Sequence, residues 1–239
     1  MVKRYYYPDG SIIEAESEEE RRQLFIDFYN RFYYYINRDI DREKTIETIL
    51  NDRAKGKEID KETLEKILRW KVNPRYYTLS EDGTKKNVLS VDEILEVTKK
   101  INVNITEDKI SEAICNLMNC SGIGAVYAIS ILYFCTGGRY PIYDKYAHIA
   151  LMVINEGRDF NSLVCENERE RQFHFSTSKI EVISTDYKFY TGLLKEWLDG
   201  MKYDRKIDQA LWTYGHLFSE NTINNKRCQN ITRNRKSIR

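Results

Sequence analysis

The chain has 239 residues and a formal net charge of +1, with 41% hydrophobic and 31% charged residues. This balance is typical of one or two globular domains and excludes an intrinsically disordered protein. The five cysteines include no C-x-x-C pair, which argues against a zinc site or a disulfide framework. The low numbers of prolines (three) and glycines (eleven), both poor helix formers, favour an all-α fold.

The N-terminal part predicts a short hairpin followed by helices. Pro8-Asp9-Gly10 supplies a turn between tyrosines and isoleucines, which predicts a small β-hairpin over residues 4–14. Ser17 opens a long helix and Asp60 caps a later one, because their side-chain oxygens can accept the free N–H groups of a first turn.

An aromatic and basic cluster ends the helix that Asp60 opens. Trp70, Lys71 and Arg75 lie within six residues, and Pro74 disfavours continuation of the helix. An indole and two cations can stack on a base and contact phosphate, so these three residues are candidate walls of a base pocket. The alternative is an ordinary helix end with solvated charges.

A glycine-containing turn joins two predicted helices in the middle of the chain. Glycine tolerates positive φ and lets a flat surface approach the backbone. Because the second helix starts directly after the turn, its free N–H groups point outwards and can bind a phosphate without a basic side chain. This second helix is apolar on nearly all sides, which predicts burial. The turn comprises Ser121, Gly122, Ile123, Gly124 and Ala125.

Asp144 stands at the start of the next predicted helix. An Asp at a helix N-terminus accepts backbone N–H bonds and lies at the positive end of the helix dipole, which favours its charged form. A fixed carboxylate can stabilise positive charge that develops in a transition state, and it can orient an attacking water. Taken alone, an Asp at such a place is most often only a helix cap.

The C-terminal part predicts a polar irregular segment over residues 156–176 and two further helices, the last of which Asp204 opens. Trp212 on this last helix is another candidate wall of a base pocket. Gly215 lies in the middle of the same helix, which predicts the close approach of another backbone or a ligand. The tail from Asn221 onward has six basic and no acidic residues.

Gly122-Ile123-Gly124, the apolar helix after them and Asp144 together resemble the helix-hairpin-helix superfamily of DNA glycosylases. Asp144 follows Gly124 by 20 positions, a spacing similar to that of the branch of endonuclease III and 8-oxoguanine glycosylase. The segment PIYDKYAHIAL is similar to the family's segment around its essential aspartate. The resemblance covers about 50 residues, from Thr106 to Asn155.

The resemblance implies a fold of two helical lobes, with a helix-hairpin-helix motif and a DNA-binding cleft. In that arrangement residues 1–89 pack with residues 176–219 as one lobe. Residues 90–175 form the helix-hairpin-helix lobe, and residues 220–239 form a basic tail.

The implied activity is that of a DNA N-glycosylase, a hydrolase that removes a damaged or modified base from double-stranded DNA. Asp144 would be the catalytic carboxylate, and the turn over 121–125 and Lys145 would bind DNA. Members that also cut the strand carry a lysine two positions after the second glycine, where this chain has Val126. Valine cannot form a Schiff base. We therefore expect a monofunctional enzyme, with a lyase that uses another lysine as the lesser alternative.

Two other functions stay open. The chain can be a non-catalytic helix-hairpin-helix module that binds DNA within a repair or defence complex. It can also be a helical protein whose turn serves only packing. The near-neutral charge favours an enzyme that recognises a rare lesion over a general DNA-binding protein.

The resemblance also sets expectations for cofactors and location. Some members hold an iron–sulfur cluster with four C-terminal cysteines, but only Cys228 lies in the corresponding region, so we expect no cluster. Members often bind a monovalent cation through carbonyls of the hairpin, and the turn from Cys120 to Ala125 can do so. We assign no metal site to the side chains. We expect a cytoplasmic, nucleoid-associated protein without a membrane partner.

Overall fold

A computed structural model of the chain describes residues 4–7, 9–37, 39–71, 78–80, 88–156 and 180–217. These ranges are mostly helical, which confirms the expected all-α class. Their α-helices are α1 (Glu18–Ile36), α2 (Ile40–Ala54), α3 (Lys61–Lys71), α4 (Val91–Lys99), α5 (Ile110–Met118), α6 (Ala125–Cys135), α7 (Lys145–Glu156), α8 (Ile180–Leu198) and α9 (Arg205–Leu217). None of the helices in the described ranges is long and apolar enough to cross a membrane.

Strand structure in the described residues is slight. β1 (Thr78–Ser80) and β2 (Val88–Ser90) pair in parallel. Near the N-terminus, Tyr6 and Ile12 form an isolated antiparallel bridge. The predicted small hairpin is therefore present as a turn with a single bridge.

Side-chain caps begin several helices as the sequence predicts. The N–H of Glu20 donates to Ser17 Oγ at 3.1 Å at the start of α1. The N–H of Thr63 donates to Asp60 Oδ1 at 2.8 Å at the start of α3. Asp204 caps α9 in the same way. Each cap satisfies a backbone donor that has no partner inside its own helix.

The chain divides into two compact units. The terminal unit contains α1, α7, α9 and the part of α8 from Lys188 onward. The central unit contains the chain from Asp41 to Tyr143, hence α2 to α6, and the part of α8 up to Tyr187. The lobes expected from the sequence have other boundaries, at residues 89 and 175, and they stay a prediction. The basic tail and nearly all of the irregular segment over 156–176 lie outside the described residues.

The core of the terminal unit is aromatic. The Trp197 indole N–H donates to the Tyr5 hydroxyl at 3.0 Å, and both side chains are fully buried. Phe25 meets Trp197 and Tyr214 edge to face, with ring centroids 5.6 and 4.8 Å apart. Burial raises the pKa of the Tyr214 hydroxyl above its ordinary value. Part of the high tyrosine content of the sequence thus serves a core in which the rings pack together and the Tyr5 hydroxyl accepts a hydrogen bond.

The core of the central unit forms around α6, which is buried on nearly all sides, as its composition predicts. Arg53 secures the C-terminal end of this helix: its Nε donates to the Cys135 carbonyl at 2.7 Å and its Nη2 to the Ile101 carbonyl at 3.0 Å. Gly137, with φ of +59°, follows the helix and packs against the Ala54 backbone. Because α6 is held at this end, the turn at its other end has a rigid support.

Three hydrogen bonds fix the chain between α6 and α7 within the central unit. Arg139 Nη1 donates to the Val103 carbonyl at 2.9 Å. The Tyr140 hydroxyl donates to the carbonyl of Ile105 at 3.1 Å. The buried Tyr187 hydroxyl donates to the Pro141 carbonyl at 2.9 Å. Side chains from distant parts of the sequence thus hold backbone groups that no helix or strand satisfies.

Candidate functional site

Asp144 immediately precedes α7 and is half-buried. Its Oδ1 accepts hydrogen bonds from the N–H of Tyr146 at 3.0 Å and from the N–H of Ala147 at 3.1 Å. The predicted helix cap is therefore confirmed. Two donors from one rigid turn fix the carboxylate at the positive end of the helix. Lys145, the next residue, is exposed.

An aromatic cluster within the terminal unit includes Tyr146 of the first turn of α7. It consists of Tyr33, Tyr146, Trp212 and His216. The Tyr146 ring lies 4.3 Å from His216 and 5.6 Å from Trp212, measured between ring centroids. His216 stacks on Trp212 at 4.5 Å with 27° between the ring planes. Tyr33 meets Trp212 edge to face at 5.3 Å. The carboxylate of Asp144 is thus held by a turn that itself carries part of the cluster.

Gly215 brings the backbones of α7 and α9 together. A Cβ at this position would lie 1.8 Å from the Tyr146 carbonyl oxygen and 2.6 Å from its carbon. The close approach that a mid-helix glycine predicts is therefore confirmed, and the approaching group is the backbone of Tyr146. No other residue fits here without moving one of the two helices.

The turn between α5 and α6 belongs to the central unit. Gly122 has φ of +78°, the left-handed region that favours glycine. Gly124 begins α6 in an extended conformation with ψ of 172°, and within the described structure no side chain caps the helix there. A Cβ on Gly124 would meet no atom within 4 Å. Ser121 is exposed, whereas Ile123 is buried and anchors the turn.

Glu93 lies beside this turn, a contact that the sequence does not predict. The N–H of Ser121 donates to Glu93 Oε2 at 3.3 Å, although the two residues are 28 positions apart. A carboxylate here disfavours a second anion near Ser121. We therefore expect any phosphate to approach the turn from the Gly124 side, where the N–H groups of α6 begin.

Cys120 precedes the turn and is expected to react slowly. Burial, with a smaller contribution from Glu93, raises the pKa of its thiol to about 11. Only about one thiol in a thousand is then ionised at pH 8, and the thiolate is the reactive form.

At pH 8 the half-buried Cys115 should react with iodoacetamide at least about tenfold faster than Cys120, as measured by peptide mass spectrometry. Raising the pH towards 11 should accelerate alkylation of Cys120. Equal rates at pH 8 would contradict the burial of its thiol.

Two of the three predicted residues at the end of α3, Trp70 and Lys71, lie within the described part of the structure. The Trp70 indole N–H donates to Glu43 Oε1 at 3.1 Å, and the Glu43 side chain is buried. Lys71 Nζ lies 5.5 Å from the centroid of the Trp70 ring. Trp70 and Lys71 belong to the central unit, whereas Trp212 belongs to the terminal unit. Arg75 lies outside the described residues.

The expectations about a metal ion, a monovalent cation and an iron–sulfur cluster stay predictions. Among the described residues, no group of three or more His, Cys, Asp and Glu side chains could hold a metal ion. A monovalent cation bound by the carbonyls of Cys120 to Ala125 also stays a prediction. Cys228, on which the expectation about an iron–sulfur cluster depends, lies outside the described residues.

No protein-family profile, curated protein or solved structure matches this chain. The terminal unit places Asp144 at the start of α7 beside the aromatic cluster, and the central unit presents the glycine turn. Asp144, Trp212 and the turn are predicted from the sequence. Tyr146 and His216 are not predicted, because their spacing on α7 and α9 gives no signal of its own.

Proposed function

We propose that this protein is a monofunctional DNA glycosylase, a hydrolase that removes a damaged or modified base from double-stranded DNA. The observation that supports the proposal best is the half-buried carboxylate of Asp144. Two backbone N–H groups fix it at the start of α7, beside an aromatic cluster. Under this proposal the enzyme acts in the cytoplasm on DNA of the nucleoid.

The chemistry requires a fixed negative charge. Breaking the bond between base and sugar develops positive charge on the deoxyribose, which a carboxylate in a partly dry site stabilises. The same carboxylate can orient the water that attacks the sugar. The base leaves the stack before the reaction, at a cost of a few kcal/mol. Asp144 suits this role because two of its hydrogen bonds come from backbone N–H groups of the first turn of α7, which hold the carboxylate in one orientation.

The glycine turn is proposed to hold the DNA backbone. The turn from Ser121 to Ala125 leads into the start of α6, whose first N–H groups are not capped by a side chain in the described structure, and Gly124 has no side chain to keep a phosphate away. Lys145, exposed beside Asp144, can contact a phosphate as well. Trp70, Lys71 and Arg75 remain candidates for the base pocket.

The proposal predicts base release from a specific kind of duplex. We would measure single-turnover release from duplexes that carry 8-oxoguanine, uracil, an alkylated purine, an oxidised pyrimidine or a modified cytosine, each with and without hot alkali. Strand cleavage that requires alkali is the expected result. Cleavage without alkali would show that the protein is also a lyase, with a lysine elsewhere in the chain in place of the family's lysine at the position of Val126.

Two other outcomes would favour the alternatives. DNA binding without release from any duplex would leave the non-catalytic DNA-binding module. Neither binding nor release would leave a helical protein whose turn serves only packing, and a gel shift distinguishes these two cases.

A pair of substitutions at Gly124 tests the DNA contact separately from stability. Asp and Asn are both good caps at a helix start, and a side chain at this position meets no other atom. Gly124→Asp and Gly124→Asn should therefore be at least as stable as the wild type. Gly124→Asp should bind a duplex about tenfold more weakly than Gly124→Asn, since it adds a negative charge where a phosphate is proposed to lie. Equal affinities of the two variants would place the DNA contact elsewhere.

A further inference from the structure

We infer that Trp212 is a positioning residue that holds the Asp144 carboxylate in place, and that it is not a wall of the base pocket. The structural part of this inference concerns the terminal unit alone. Its catalytic consequence rests on the proposed function.

The surroundings of Trp212 leave little of its ring for a base. The indole is half-buried, and three rings lie close to it. His216 stacks against it at 4.5 Å. Tyr33 and Tyr146 lie at 5.3 and 5.6 Å and are nearly perpendicular to it, with interplanar angles of 73° and 71°. A base that stacks needs a free aromatic face, whereas this indole is already the centre of an aromatic cluster.

The cluster leads directly to Asp144. Trp212 and His216 contact the ring of Tyr146, and the N–H of Tyr146 donates to Asp144 Oδ1. The carbonyl of the same residue lies against Gly215. The ring, the N–H and the carbonyl of Tyr146 therefore each have a defined neighbour. Any shift of Tyr146 moves a donor of the carboxylate, and the ring contacts with α9 restrain that shift.

Positioning and base contact predict different kinetics. A misplacement of about 1 Å can cost about 100-fold in the rate of a reaction without changing how substrate binds. Loss of a stacking partner instead weakens binding of the flipped base, by an amount that depends on the base. The maximal rate and the half-saturating DNA concentration therefore separate the two roles.

The test compares Trp212→Leu, which removes the ring, with Trp212→Phe, which keeps an aromatic ring. The control is Trp197→Phe, because Trp197 is a fully buried indole of the same unit that contacts Tyr5 and Phe25 instead of the cluster.

The first measurement is hydrogen exchange of the Tyr146 and Ala147 amides by NMR, which needs no activity. In Trp212→Leu we expect these two amides to exchange about fivefold faster, the factor that corresponds to losing a helix cap of ordinary strength. In Trp212→Phe we expect near wild-type exchange. In Trp197→Phe these two amides should change no more than amides elsewhere in the unit.

The second measurement is single-turnover base release. Trp212→Leu should lower the maximal rate by about tenfold or more, by the same factor for every base released, with an unchanged half-saturating DNA concentration. Unchanged amide exchange would overturn the inference. Weaker binding that depends on the base would also overturn it and would make Trp212 a wall of the pocket. If the wild type releases no base, the proposed function fails, and the amide exchange alone decides whether Trp212 positions the carboxylate.

Discussion

Replacing Gly215 with alanine is expected to destabilise the terminal unit by about 3 kcal/mol, because overpacking a core typically lowers the free energy of unfolding by about 1 to 3 kcal/mol. The added methyl group would lie 1.8 Å from the carbonyl oxygen of Tyr146, so α7 and α9 must move apart. Alanine favours a helix over glycine by only about 1 kcal/mol, which does not offset the clash. Chemical denaturation monitored by circular dichroism measures the difference in the free energy of unfolding.

Gly192 supplies the matched control. It also lies inside a helix, α8, but a Cβ there would meet no atom within 4 Å. Gly192→Ala should therefore stabilise the protein by up to about 1 kcal/mol, the ordinary helix preference of alanine. Opposite signs for the two substitutions are the expected result. A stabilising Gly215→Ala would show that α7 and α9 do not approach each other as closely as the structure has them.

Asp144→Asn is expected to reduce base release by at least about 100-fold, a loss typical of removing one group that stabilises transition-state charge. The fold should be preserved, because asparagine is as good a helix cap as aspartate and its amide oxygen can accept the same N–H bonds. The substitution therefore removes the negative charge and keeps the hydrogen bonds. Single-turnover release on the best duplex and thermal unfolding measure the two effects.

The control for that experiment is Asp204→Asn. Asp204 caps α9 as Asp144 caps α7, but it is exposed and lies outside the proposed site. This variant should release the base at the wild-type rate. If both variants lose activity equally, helix capping explains the effect. If Asp144→Asn retains full activity, Asp144 is only a cap and the proposed mechanism is wrong.

Much of the secondary structure follows from local signals. Ser17, Asp60, Asp144 and Asp204 each begin a helix where the sequence predicts it, because a cap and its partner lie within three residues of each other. The burial of α6 follows from a composition that leaves it no polar side. Such signals need no knowledge of distant contacts.

The candidate site is predictable only in part for the same reason. Asp144 and the glycine turn are visible because their spacing is local. The role of Glu93 at Ser121 is not, since an exposed acid in a short helix ordinarily serves as a solvated charge. Glu43 is a similar case: its buried carboxylate accepts a hydrogen bond from the Trp70 indole, 27 positions further along the chain, which no periodicity predicts.

Local patterns in the chain are enough to predict the helical class, the helix starts, the capping carboxylate and the glycine turn. The neighbours of these groups are known only from the folded structure. Gly215 shows the difference: its place inside a helix indicates that something comes close, but only the folded chain identifies the backbone of Tyr146. The physical reason is that hydrogen bonds within a turn are fixed by a few neighbouring residues. Contacts between helices depend on how whole faces fit together across long separations in the chain.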